Sequence, residues 1–104
     1  MLAPLFAALG DTTRLRLVAR LAAGGPGSAT LLSAHAAVSR QAIVTHLGVL
    51  EGVGLVRSER RGRERVWELH PDRLADAHAY LDEVSQQWDD ALARLREFVE
   101  REDR

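Results

Sequence analysis

Leu2, Leu5, Phe6 and Leu9 recur at the three-four spacing of an α-helix, with Pro4 in the first turn, where its missing amide is tolerated. Gly10 closes that segment. Asp11 then offers a side-chain oxygen as N-cap for a second helix, whose inner face is read as Leu15, Val18 and Leu21/Ala22. Gly24-Gly25-Pro26-Gly27 stops it. Ser28 caps a short third helix that carries Leu31 and Leu32 and runs to about Ala36. Ser39 caps a fourth, with Val38 and Ile43 at the two positions of a hydrophobic staple. At 100° per residue Ile43, Leu47 and Leu50 point inward, while Gln41, Val44, Thr45 and Gly48 share the opposite face with Arg40 at its margin. Gly54 supplies the left-handed residue of a helix ending that brings Leu50 and Leu55 together.

Beyond Leu55 the period shortens. Leu55–Glu59 and Arg65–Leu69 read as two strands with Arg61-Gly62-Arg63 at the turn. His70-Pro71-Asp72 ends the second strand. A last helix over 72–102 then shows the clearest periodicity in the chain. Leu74, Leu81, Trp88 and Leu95 are spaced by seven, and Ala77, Val84, Ala91 and Phe98 follow each of them by three. This is an a/d seam over about four heptads, on a rod about 45 Å long. So long an apolar stripe exceeds what one short core covers, and part of it should pack on a partner. No repeat or interdomain linker is visible, so residues 1–104 read as one domain, mostly α with a small β-hairpin.

Composition narrows the function. No cysteine is present, which excludes disulfides, thiol catalysis and thiolate metal sites. No apolar run is long enough for a bilayer and no signal-peptide pattern opens the chain, so a cytoplasmic protein without a membrane partner is expected. No nucleophile, glycine-rich phosphate loop or complete metal constellation suggests an enzyme, and no cofactor is expected. The net charge of -1 conceals an asymmetry: residues 1–71 hold nine Arg against five acids, and residues 72–104 hold five Arg against ten. A polyanion would meet the basic part.

Two short helices joined by a tight turn, the second with a polar outer face, form a helix-turn-helix, whose second helix enters the DNA major groove. On this reading Arg40 bridges guanine O6 and N7, Gln41 bridges adenine N6 and N7, and Ser39 with the helix N-terminus takes a phosphate. Val44, Thr45 and His46 complete the DNA-facing set, His46 as a packed or phosphate-facing residue. The hairpin becomes a wing, lying along the backbone or in the minor groove, whose Arg57, Arg60, Arg61, Arg63 and Arg65 outnumber Glu59 and Glu64 and bind phosphates. Arg14 reads equally as a structural ion-pair partner or a phosphate contact.

The stretches ALGDTTRLRLVARL (Ala8–Leu21), VSRQAIVTHLGVLEGVGLV (Val38–Val56) and RRGRERVWEL (Arg60–Leu69) resemble the ArsR-type winged-helix repressors of bacteria. QQWDDALARL (Gln87–Leu95) looks like their metal-independent branch. The resemblance implies a winged helix-turn-helix with long N- and C-terminal dimerisation helices. It implies a homodimer on an inverted-repeat operator in double-stranded DNA, and repression of transcription. The dimer would use Leu2, Leu5 and Phe6 of the first helix, and Leu74, Leu81, Val84, Trp88, Leu95 and Phe98 of the last. An organic effector or a protein partner would act at the seam. Two departures bear on this. Asp76-Ala77-His78 matches part of a metal-sensor pattern, but Asp89 and Leu92 stand where its partners would be, so no metal site is expected. Thr12 stands where the family usually has Pro. The competing reading is a helix-mediated protein-interaction module without specific DNA binding.

Overall fold

The computed structural model describes residues 2–102. In chain order they form α1 (Ala3–Leu9), α2 (Thr12–Gly24), β1 (Gly27–Ser28), α3 (Ala29–Ser33), α4 (Arg40–Gly52), β2 (Val56–Arg61), β3 (Glu64–Leu69) and α5 (Pro71–Glu102). Three antiparallel strands in the order β1-β3-β2 form the sheet. The chain divides after Leu74 into two compact units. The first contains nearly all the core: Leu5, Ile43, Leu47, Leu50, Leu55 and Val56 are its most deeply buried large side chains. The described part of the second is a length of α5 in which, among the described residues, only Ala77 is buried.

The helix starts follow from their caps. Asp11 accepts from the Arg14 amide at 3.0 Å, Ser28 from Leu31 at 3.2 Å and Ser39 from Ala42 at 3.1 Å. Each satisfies an amide that the first helical turn leaves without a carbonyl. The end of α4 is equally local. The Leu55 amide donates to the Leu50 carbonyl and the Gly54 amide to Glu51, both at 3.0 Å, the paired bonds of a Schellman ending. Gly54 sits at φ 80°, and a Cβ there would lie 3.1 Å from Arg73 Cγ. Gly54→Ala should therefore lower stability by at least the ~1–2 kcal/mol of a left-handed non-glycine residue. Chemical denaturation would measure this, and an unchanged midpoint would contradict it.

The structure corrects the sequence reading in several places. On α2 the buried residues are Leu17 and Leu21, whereas Leu15 is 54% exposed. α3 ends at Ser33 instead of near Ala36, and Leu31 is exposed while Leu32 is buried. β1 lies hidden in the glycine-rich break: Gly27 pairs with Trp67 and Ser28 with Val66. The hairpin strands begin and end differently because Arg61 pairs with Glu64, which leaves Gly62-Arg63 as a two-residue turn. Gly62 at φ 64° takes the first position, as a tight hairpin with glycine at that place requires.

Candidate nucleic-acid interface

The first turn of α4 presents a polar, exposed surface. Arg40 occupies the first helical position, and its Nε donates to Thr30 Oγ1 at 3.1 Å, tying the guanidinium to α3. The Nη edge keeps the fork that suits a guanine edge. Gln41, Val44 and Thr45 are exposed beside it. Thr45 donates its hydroxyl to the Gln41 carbonyl at 3.1 Å, so its oxygen faces outward chiefly as an acceptor, accompanied by its methyl group. Ile43, Leu47 and Leu50 anchor the opposite face and fix the rotation of the helix.

Of the two readings of His46, packed or phosphate-facing, the packed one describes its surroundings. It is half-buried, with Nδ1 3.2 Å from Arg14 Nη1 and 3.8 Å from Asp11 Oδ2. It lies three residues from Ile43, at the edge of the inward stripe, and so turns toward α2 instead of outward. Arg14 is thereby structural: its Nε also donates to the Ala8 carbonyl at 2.6 Å, so one guanidinium joins the end of α1 to α4. The Arg14 amide holds the Asp11 carboxyl below its ordinary pKa, with the Arg14 and His46 charges acting the same way against desolvation. Stability from a carboxyl depressed in this way is present above its unfolded value, about 3.9, and is lost as pH falls through the folded value. Asp11→Asn keeps a cap acceptor without that titration. The wild-type advantage in melting temperature over Asp11→Asn should therefore fall below about pH 4. A pH-independent difference would contradict the assignment.

The wing arginines form two groups. Register puts Val56, Ser58, Arg60, Arg65, Trp67 and Leu69 on one face and Arg57, Glu59, Arg61, Glu64, Val66 and Glu68 on the other. On the second face Arg57 pairs with Glu68 at 2.8 Å and Arg61 with Glu59 at 2.6 Å. On the first face Val56 and Trp67 are buried, while farther along Arg60 stands directly opposite Arg65. Like charges opposed across strands destabilise a hairpin, and a phosphate between them would reverse the sign. Arg65 Nη1 donates to Ser58 Oγ, which donates to Glu51 Oε2, each at 2.8 Å, so the wing is fastened to the end of α4. Arg63 is exposed in the turn.

The residues assigned to a dimer interface fall in three places. Leu5 is fully buried within the protomer, so it is a core residue and cannot face a partner. Leu2, Phe6, Leu74 and Val84 are half-buried. Leu81, Trp88, Leu95 and Phe98 are exposed, Trp88 by 65%. Leu92 and Val99, each next to a d position of the heptad, are exposed as well. The sequence reading omits them because it follows only the a/d positions, although their apolar character widens the stripe. Asp76 and His78 are exposed on α5, and His78 Nδ1 lies 3.2 Å from Asp82. Among the described residues no three His, Asp or Glu side chains gather as metal ligands.

A helix-turn-helix with a polar outer face on its second helix, followed by a basic two-stranded wing, defines a DNA-binding module. Comparison with known proteins agrees. A family model described as a helix-turn-helix domain matches residues 9–59. The chain is 37% identical over 95 residues to the HTH-type transcriptional regulator Rv2034 of Mycobacterium tuberculosis, covering 91% of this chain and 85% of that one. An ArsR-like transcriptional regulator from Rhodococcus sp. RHA1 superposes with a TM-score of 0.77 at 36% identity, covering 93% of this chain and 91% of the other. The homodimeric winged helix-turn-helix DNA-binding domain Mb0332 from Mycobacterium bovis has the same fold, with a TM-score of 0.66 at 21% identity over 82% of this chain and 78% of that one. The protein belongs to the ArsR-like family of helix-turn-helix transcriptional regulators. It is a regulator of transcription and not an enzyme.

Proposed function

We propose that the protein is a repressor that binds an inverted-repeat operator as a homodimer, reading bases with the start of α4 and holding phosphates with the wing. The observation that carries this reading is the Arg40–Gln41 pair, exposed in the first turn of a helix whose other face is locked into the core. Arg40 is further held by Thr30, which lowers the entropy cost when it meets a base. The exposed apolar stripe of α5, from Leu81 to Val99, supports a second copy of the chain as partner. Two-fold symmetry would then place two reading helices about 34 Å apart, on successive turns of the major groove. Such a regulator works beside the chromosome, in the bacterial cytoplasm. Selection of duplexes from a random pool tests the whole reading. Enrichment of an inverted repeat with half-sites one helical turn apart is expected, and a pool that stays random would refute it.

The wing should supply affinity without choosing sequence. Arg60 and Arg65 face each other without a carboxylate between them, whereas Arg57 and Arg61 are already paired. Removing Arg60 and Arg65 together should weaken binding to every duplex. It should also flatten the dependence of log K on log salt, by roughly 0.9 for each phosphate that a wing no longer neutralises. The Arg57/Arg61 double variant should do less, because its arginines must first leave Glu68 and Glu59. Identical salt slopes for wild type and the Arg60/Arg65 variant would contradict this division.

A further inference from the structure

A cleft of about 260 Å³ opens between α2, α3 and the turn that leads into α4. Leu17, Leu32 and Ile43 form its apolar floor, and all three are buried. Arg16, Arg20 and His35 stand exposed on its rim. Among the described residues no Asp or Glu lines it. Arg16 and Arg20 are four residues apart on one helix, a like-charge spacing that disfavours the helix unless an anion answers it. Arg20 Nη2 donates to the Leu31 carbonyl at 3.2 Å, which holds that guanidinium against α3. Neither arginine has a carboxylate partner among the described residues, and neither has a part in the DNA reading above.

We propose that this cleft binds a small amphipathic organic monocarboxylate, with its apolar body against Ala36, Ala37 and Val38 above the Leu17, Leu32 and Ile43 floor and its carboxylate on Arg16 and Arg20. The two halves of the site select this chemistry together. An inorganic phosphate, or a backbone phosphate of DNA, would answer the guanidiniums and leave the apolar lining of Ala36, Ala37 and Val38 uncovered. A neutral apolar molecule would cover the floor and leave the cations unanswered. A planar guanidinium takes a carboxylate through two parallel hydrogen bonds. The cleft has room for a small organic molecule, the scale of a medium-chain or aromatic acid. Val38, the residue before the Ser39 cap, is also in the lining, so the ligand sits beside the start of the reading helix. The cleft alone supports this assignment, which holds whether or not the operator reading is correct.

The test is a titration of the full chain with octanoate, 1-octanol, acetate and inorganic phosphate, followed by calorimetry and by amide NMR shifts. Octanoate should bind saturably, at least tenfold tighter than the other three, with shifts clustered in residues 13–20 and 32–43. Arg16→Gln with Arg20→Gln should bring octanoate within a factor of a few of octanol while the melting temperature holds. Ala36→Phe, on the exposed lip of the cleft, should block octanoate by filling the space. Phosphate as tight as octanoate would make this a bare anion site. Octanol as tight would make it an apolar patch, and shifts confined to α5 would place the ligand on the exposed stripe. Each of these results, or no saturation at millimolar octanoate, overturns the proposal.

Discussion

Arg40→Ala and Gln41→Ala are each expected to lose about 1–3 kcal/mol on the operator and much less on random duplex. Both side chains are exposed and neither contributes to the core, so the loss should appear in binding with folding intact. The chemistry behind the difference is the bidentate edge: arginine to guanine, glutamine to adenine. Arg40→Lys sharpens the test, because it keeps the charge and removes the fork. It should hold much of the affinity for random DNA and relax the preference at one base position. Thr30→Val releases Arg40 Nε from its tether and should cost less, in the same direction. Fluorescence anisotropy on operator and random duplexes measures all four variants. Equal losses on both DNAs would reduce Arg40 and Gln41 to phosphate contacts.

Trp88→Asp is expected to yield monomers whose operator affinity is lower by on the order of 10²-fold or more. Trp88 is the largest residue of the stripe and is 65% exposed in the single chain. A carboxylate at that position would have to be desolvated against an apolar surface to keep the dimer. The reading helix lies in the other unit, so each monomer should retain its single half-site and forgo the gain from joining two. Sedimentation equilibrium and anisotropy on the same preparations separate these effects. A wild-type chain that sediments as a monomer at micromolar concentration would end the dimer assignment. A Trp88→Asp dimer with unimpaired binding would remove Trp88 from the interface.

Much of the fold is legible because its signals are local. Asp11, Ser28 and Ser39 each cap the helix predicted for them, and Gly54 ends α4 as its place after an apolar run suggests. The last helix matches closely, since a period sustained over thirty residues leaves little freedom in its bounds. α2 is harder. Leu15, Leu17, Val18 and Leu21 are apolar at several phases, so periodicity cannot choose the buried pair. Arg14, reaching back to Ala8 and across to His46, accompanies the rotation the helix adopts. β1 has two residues, too few for any alternation to show.

The candidate site divides along the same line. The polar opening of α4 and the run of wing arginines are visible as residue types at helix and hairpin positions. Which wing arginines are already engaged is not, because it depends on whether each stands across from a glutamate or another arginine, and a different turn length changes every such pair. For His46 the sequence leaves packed and phosphate-facing both open, because the neighbours that pack it, Arg14 and Asp11, are thirty-two and thirty-five residues away in the chain.

By itself the sequence determined the order of the helices and of the hairpin, the helix caps, the inward stripe of α4 and the long seam of α5. These depend on hydrogen bonds and periodicities within a few residues, and every local preference points the same way. Only the tertiary structure decided that Leu5 belongs to the core, that Leu15 faces outward and that Arg60 and Arg65 oppose each other. It also decided that Arg16 and Arg20 stand over an apolar cleft. Each of those outcomes depends on what a distant segment places beside the residue. Burial and charge balance are properties of such neighbours, so neither could be read from the residue's own position in the chain.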